Sequence, residues 1–298
     1  MLTRQVLQKF AKDSGSVMQF IKNTHLVLFT FIAALLVFSY AQAATLKADI
    51  PVGGGQFVDV HIPDAAEPKG FFKIKKKVPV LLYVHGGGWI KGDRRRIYNL
   101  SNYANSRGYM LVAISYRPVP RTNIDGQVRD VARAISWTRS NIAKYGGNPK
   151  KIVIMGHSAG AHLVAMIGAQ KKGGKLQGII ANDVQAYDMV AYASIRGGID
   201  GVYLKAFGSN PANWIKWSPV TYVRRGAGFP PFMVMYSNSH RPRREIVSVA
   251  FAKELKRRGT RVTLFNGKRY SHGSIATQIG KSPQVTKAVD NFLKRAYR

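Results

Sequence analysis

The stretch Lys151-Ile-Val-Ile-Met-Gly-His-Ser-Ala-Gly160 constrains this chain more than any other. Ile152 to Met155 are apolar or β-branched and predict a short buried strand. The strand runs into Gly156-His-Ser-Ala-Gly160, and the small and apolar residues from Ala161 to Ile167 predict a helix directly after it. Only a very sharp turn joins a strand to a helix over so few residues. The backbone at Ser158 is then strained, and the flanking positions take glycine because a Cβ there would strike the neighbouring strand or helix. Such a turn holds the Ser158 hydroxyl above the end of a sheet, at a helix N-terminus. In that setting Gly-x-Ser-x-Gly reads as a nucleophile elbow.

The rest of the chain supplies the sheet. Gln56 to Ile62 alternates and predicts an edge strand closed by Pro63, followed by a polar, basic loop or hairpin from Asp64 to Lys77. Val78 to Val84 is a near-continuous apolar run, as expected of a strand covered on both faces, and it delivers His85-Gly-Gly-Gly-Trp89. A helix is predicted over Ile97 to Arg107 and a buried strand over Tyr109 to Ser115. Val128, Val131, Ala132, Ile135 and Ile142 give helical spacing from Ile124 to Tyr145, stopped by Gly146-Gly-Asn-Pro149. Leu176 to Ala181, Pro231 to Tyr236 and Val262 to Phe265 predict further strands, with helices over Arg243 to Arg258 and Pro283 to Tyr297. Residues 182–228 lack clean alternation, are rich in Tyr, Trp and Gly, and read as a cap-like insertion over the site. Strands alternating with helices predict an α/β fold with a mainly parallel sheet covered on both faces. At 298 residues and 46% hydrophobic content, the chain is ample for one such core.

The N-terminal segment stands apart. Leu26 to Phe38 is apolar except for Thr30, with Lys22 before it and Ala41-Gln-Ala43 after it. A basic segment, a short apolar core and an Ala-x-Ala site predict a secretory signal over residues 1–43, cleaved after Ala43, and hence a periplasmic or secreted protein. An uncleaved N-terminal membrane anchor is the alternative. Residues 44–298 are then the folded domain. The formal charge is +32, from 46 basic against 14 acidic residues. Such a field favours anionic partners, an anionic envelope surface among them, although scattered basic clusters are more often the mark of a solvated surface. Export and the lack of a recognition motif argue against nucleic acid. There is no cysteine, so disulfides and thiolate metal sites are excluded, and no metal or cofactor is expected.

An exposed serine needs a base to take its proton, a group to orient that base, and donors for the developing oxyanion. His85-Gly-Gly-Gly88, directly after a strand, provides backbone N–H groups with no Cβ to obstruct them. Together with the N–H of Ala159 they place two or three donors, each worth about 2.7–4 kcal/mol of barrier. Among the histidines, His25 lies in the signal, His61 in a strand and His85 in the glycine loop. His157 and His162 flank the elbow, where packing is the better reading. His240 and His272 remain, and His272 follows the last predicted strand.

The chain resembles the α/β-hydrolase carboxylesterases of the hormone-sensitive-lipase-like and acetyl- or feruloyl-esterase-like (BD-FAE) groups. His85-Gly-Gly-Gly-Trp89, Gly92-Asp93, Asn148-Pro149, Gly156-His-Ser-Ala-Gly-Ala-His-Leu163, Ser218-Pro-Val220 and Tyr270-Ser-His272 carry the likeness. The resemblance implies Ser158 as nucleophile, His272 as base, and Gly87, Gly88 and Ala159 as oxyanion donors. It breaks at the acid. These esterases usually carry Asp after the strand represented here by Pro231 to Tyr236, and His240 occupies that slot. A histidine supplies no fixed negative charge behind an imidazolium, and losing the acid costs about 10⁴ in turnover. Chain order leaves Asp183, Asp188, Asp200, Glu245 and Glu254. Asp183, directly after the strand that follows the nucleophile, is the preferred acid, with Asp188 or Glu245, or no acid at all, as alternatives.

Two expectations follow. One is a serine esterase that forms an acyl-enzyme from short-chain or aromatic acyl esters, including acyl groups on polysaccharide. Trp89, Tyr187, Tyr203, Trp214 and Trp217 are candidates for its pocket. The other is a degenerate, non-catalytic hydrolase fold that binds anionic envelope polymers. A serine peptidase would share the same machinery.

Overall fold

The computed structural model describes residues 44–67, 77–237 and 242–298. The expected signal over residues 1–43, and with it the cleavage and anchoring expectations, lies outside the described residues, as does His240. Among the described residues no helix is long and apolar enough to cross a membrane.

The strands are β1 (Thr45–Gly53), β2 (Gln56–Ile62), β3 (Val78–Val84), β4 (Met110–Ile114), β5 (Gly147–His157), β6 (Gly178–Asn182), β7 (Phe232–Ser237) and β8 (Val262–Gly267). They form one eight-stranded sheet in the order β1-β2-β4-β3-β5-β6-β7-β8. β2 is antiparallel to both neighbours, whereas β4, β3, β5, β6, β7 and β8 pair in parallel. The helices are α1 (Leu100–Ser106), α2 (Ile124–Asn141), α3 (Ala159–Gln170), α4 (Met189–Arg196), α5 (Gly201–Phe207), α6 (Pro211–Lys216), α7 (Pro242–Arg257), α8 (Ser274–Thr277) and α9 (Pro283–Ala296).

The apolar strand runs bury both faces, as parallel strands require. Val80, Leu82, Val84, Ile152 and Ile154 join one core cluster with Val128, Val131 and Ile135 of α2, Leu163 of α3 and Phe251 of α7. The alternate residues Leu81, Tyr83, Val153 and Met155 join the opposite cluster with Leu100 of α1 and Val285, Val289 and Phe292 of α9. Period-2 alternation within an all-apolar run thus feeds two cores, one on each side of the sheet.

One sequence expectation fails here. β2 is not an edge strand, because β1 pairs outside it through a hairpin turned at Gly53, Gly54 and Gly55, all at positive φ. The mixed polarity of Thr45 to Gly53, with Pro51 inside it, hides a strand that is mostly solvent-exposed and makes the true edge. Helix α1 also begins at Leu100 rather than Ile97, with turns over the preceding residues.

The topology places the functional residues. β4 lies on one side of β3 and β5 on the other, so the chain reverses its direction of travel across the sheet between them. Loops leaving the carboxyl ends of β3 and β5 therefore border a crevice, the usual ligand position in an open α/β sheet. Residues 85–89 leave β3 and Ser158 leaves β5, and the register pairs Val84 with Gly156. The turn is tight because the backbones touch. A Cβ on Gly160 would lie 2.2 Å from Val84 O and 2.6 Å from His85 O, and one on Gly156 would lie 2.2 Å from Gly160 O.

These contacts are with backbone atoms at and just beyond the end of β3 and in α3, which cannot yield without moving a strand end. Gly160→Ala should cost at least the 1–3 kcal/mol typical of overpacking, read as a fall in the urea unfolding midpoint. An unchanged midpoint would show that the elbow is looser than its geometry states.

Candidate active site

Ser158 is the residue before α3 and has φ 56° and ψ −125°. Left-handed φ at a non-glycine residue costs roughly 1–3 kcal/mol and persists only when the surroundings impose it. Here the imposing contacts are the close glycines and a hydrogen bond from Ser158 N to Asn182 O, at 3.0 Å, on β6. Ser158 Oγ lies 3.0 Å from His272 Nε2, and His272 Nδ1 lies 2.6 Å from Asp183 Oδ2. Three residues separated by up to 114 positions stand in one hydrogen-bonded row. Nδ1–H donates to the carboxylate, which leaves Nε2 to accept the serine proton.

Each member leaves the same end of the sheet. Asp183 directly follows β6, at φ 65°, a left-handed conformation that Asp tolerates better than most residues. His272 lies between β8 and α8. Its loop is fixed by reciprocal contacts between Ser271 and Ser274, with Ser271 N donating to Ser274 Oγ at 2.8 Å and Ser274 N to Ser271 Oγ at 3.1 Å. Below it, His157 Nε2 donates to the backbone carbonyl of His272 at 2.8 Å. The His272 side chain is 40% exposed and open to substrate, whereas Asp183 is fully buried.

The carboxylate survives burial because it is surrounded by donors. Ser237 N donates to Oδ1 at 2.8 Å, and Ser237 Oγ to Oδ2 at 2.7 Å. Arg244 Nη1 donates to Oδ2 at 3.2 Å, with its side chain only 12% exposed. Burial by itself pushes the Asp183 carboxyl up. The hydrogen bond from His272, the Arg244 charge and the Ser237 amide outweigh it and hold the group below the usual carboxylate range. The other carboxylates considered from the sequence are employed elsewhere. Asp188 caps α4 by accepting from Ala191 N at 3.0 Å, Asp200 pairs with Arg196, and Glu245 accepts from Tyr236 OH at 3.1 Å. Glu254 pairs with Arg257 and Arg258.

The glycine loop faces the serine. A Cβ on Gly86 would lie 3.0 Å from Ser158 Cβ, so the loop packs directly on the nucleophile. Gly87 and Gly88 have φ 128° and 60°, which turn successive peptide planes in a way that side-chain-bearing residues resist. Ala159 opens α3, so its N–H has no carbonyl one turn earlier to bond. His85 supports the loop from within, stacked on Tyr116 at 4.3 Å. A cleft of about 300 Å³ is bordered by Gly88, Ser158, Asp183 and His272, with Trp89 and Tyr203 also in its wall. Trp214 and Trp217 are not in that wall. Tyr187 is buried and stacked on Phe251 at 4.5 Å. No group of three or more His, Asp or Glu among the described residues is placed to hold a metal ion.

Residues 68–257 match the BD-FAE family model. The chain belongs to the BD-FAE family. Esterase LipQ of Mycobacterium tuberculosis is 30% identical over 87% of this chain and 64% of its own length. A probable isoprenylcysteine alpha-carbonyl methylesterase, ICMEL1 of Arabidopsis thaliana, is 28% identical over 65% of this chain and 45% of its own. The chain thus spans less than two thirds of the length of these curated relatives. Among solved structures, a thermostable esterase from Pseudomonas putida aligns with TM-score 0.68 and 20% identity over 93% of this BD-FAE chain and 90% of that chain. Esterase B from Lactobacillus rhamnosis aligns with TM-score 0.67 and 18% identity, over 94% and 95%. Both share the α/β-hydrolase fold.

Ser237, Arg244, His157 and His162 escape a reading of the sequence as members of the site. Ser237 and Arg244 touch Asp183 across separations of 54 and 61 residues, which no local pattern encodes. Burial first, and the neighbouring His272 second, bring His157 down to about 4, and burial alone does the same to His162. Both rings are therefore neutral near pH 7. Each contributes stability that is whole above the ordinary value of about 6.5 and is lost as pH falls through about 4, up to about 3 kcal/mol apiece. The unfolding free energy of this BD-FAE protein should fall between pH 6.5 and 4, and His162→Gln should flatten that fall by about half. A pH-independent free energy across this window would contradict the neutral, buried assignment.

Proposed function

We propose that this BD-FAE protein is a serine carboxylic-ester hydrolase. The observation that carries the reading is the continuous row from Ser158 Oγ through His272 to Asp183, with gaps of 3.0 and 2.6 Å. In the first half-reaction His272 Nε2 takes the hydroxyl proton as Ser158 Oγ bonds to the ester carbonyl carbon. The carbonyl electrons move onto oxygen, where the amides of Gly87, Gly88 and Ala159 receive the charge. The C–O bond to the alcohol then breaks, and the proton held on His272 passes to the leaving alkoxide. Water repeats the sequence on the acyl-Ser158 ester and releases the acid. Asp183 keeps the imidazole in its Nδ1–H tautomer and offsets the positive charge that forms on it.

The cleft supports a reading of the substrate class. Its volume of about 300 Å³ lies at the lower end for small-molecule sites, which suits a short acyl chain or one aromatic ring rather than a long chain. Val202 and Tyr203 offer apolar surface, while Gln185, Arg196 and Asp200 offer polar contacts to the alcohol portion, as a sugar hydroxyl would need. This supports acyl groups on a carbohydrate as a target. The reading as a non-catalytic hydrolase fold draws on the basic charge and on an acid slot held by His240, and an Asp183 carboxylate 2.6 Å from His272 Nδ1 speaks against the second of these grounds.

Ser158→Ala should abolish turnover of p-nitrophenyl acetate while leaving the thermal unfolding curve in place. Asp183→Asn should lower kcat by about 10⁴. Asp188→Asn and Glu245→Gln should stay within a few-fold of wild type. Retained turnover in Ser158→Ala sinks the mechanism, and a large loss confined to Asp188→Asn or Glu245→Gln sinks the choice of acid.

A further inference from the structure

One buried imidazole touches three parts of this architecture. His162 lies one turn beyond Ser158 on α3 and is wholly buried. Its Nδ1 accepts a hydrogen bond from Trp89 Nε1 at 3.1 Å, and its Nε2 lies 2.7 Å from Trp217 O. An indole N–H only donates and a carbonyl only accepts, so the partners fix the ring as the neutral Nε2–H tautomer with both nitrogens used. Trp89 directly follows Gly88 of the glycine loop. Trp217 closes α6, in the segment between β6 and β7.

Trp89 is where that loop needs holding. Its φ of 64° is left-handed, a conformation that a bulky residue adopts only under constraint. Its carbonyl accepts from Val119 N at 2.9 Å and from Gln127 Nε2 at 2.7 Å. Its ring is packed edge-on against Tyr203 and Phe207 of α5, at 5.3 and 5.0 Å. None of these contacts reaches the element that carries the nucleophile. The hydrogen bond to His162 does, because His162 and Ser158 are held by the same helix turn.

We infer that His162 is a positioning residue: by anchoring the Trp89 indole to the nucleophile helix, it sets the distance between the Gly87 and Gly88 amides and Ser158. Through Trp217 O the same ring ties that distance to the helices between β6 and β7. The inference rests on the esterase reading above. It concerns the transition state in particular, because amides displaced by about 1 Å still admit substrate but no longer meet the oxyanion, at a cost of about 10²-fold.

The test is a double-mutant cycle on p-nitrophenyl acetate hydrolysis with Trp89→Phe, His162→Leu and the pair. Trp89→Phe removes the donor and keeps a ring; His162→Leu removes the acceptor and the second donor. Each single variant should lower kcat at least about tenfold with KM within about threefold, and the pair should be no slower than the slower single. His162→Gln, which restores a donor and an acceptor, should recover part of the loss. Additive losses, or a wild-type kcat in Trp89→Phe, overturn the inference. Should His162→Leu not fold, Trp89→Phe beside His162→Gln decides it on the same kcat–KM split. A wild type without turnover refutes the esterase reading itself, whereas wild-type turnover that survives Trp89→Phe refutes only the positioning role.

Discussion

The Asp183 carboxylate is the constraint on which the rest depends. A fully buried charge costs several kcal/mol unless its lone pairs are occupied, and here they are, by Ser237 through two atoms, by Arg244 and by His272. Those donors come from the end of β7, from α7 and from the loop after β8. Satisfying one carboxylate therefore holds three segments together at the carboxyl edge of the sheet. The same requirement aims the His272 ring at Ser158, since the carboxylate fixes the nitrogen on one side and the serine meets the other. Structure and chemistry share a single group of contacts.

The resemblance to these esterases implies an acid after the strand that is β7 here. In this chain that strand ends at Ser237, which donates to the carboxylate instead of supplying it, and the negative charge comes from the end of β6. The exchange is geometrically cheap because β6 and β7 are parallel neighbours in register, with Asn182 opposite Met235. Their ends are separated by only one strand spacing, about 4.8 Å. A guanidinium in contact with the same oxygen is the less expected feature. It stabilises the ionised carboxylate and at the same time draws on the charge available to an imidazolium.

Much of this was legible in the sequence, for identifiable reasons. Val78 to Val84 and Ile152 to Met155 read as strands because parallel sheets buried on both faces leave continuous apolar runs. Ser158 and the glycines of residues 86–88 read as a site because sharp turns demand residue types that little else demands. β1 is not legible, because an exposed edge strand with Pro51 leaves no apolar period, and β2 reads as the edge in consequence. Chain order and its place directly after a strand favour Asp183 among five carboxylates. Its partners were out of reach, since Ser237 and Arg244 are ordinary residues until the strand ends come together. His162 was legible as buried but not as a link, because its two hydrogen bonds run to residues 73 and 55 positions away.

The central claim is that Asp183, through His272, activates Ser158. Covalent labelling measures this without reference to any substrate. The protein is treated with a p-nitrophenyl phosphonate, the modified peptide is located by mass spectrometry, and the labelling rate is followed in wild type and in Asp183→Asn. The account predicts a single label on Ser158 in the wild type and a rate lower by orders of magnitude in Asp183→Asn. A label on another residue, or equal rates in the two proteins, would contradict it.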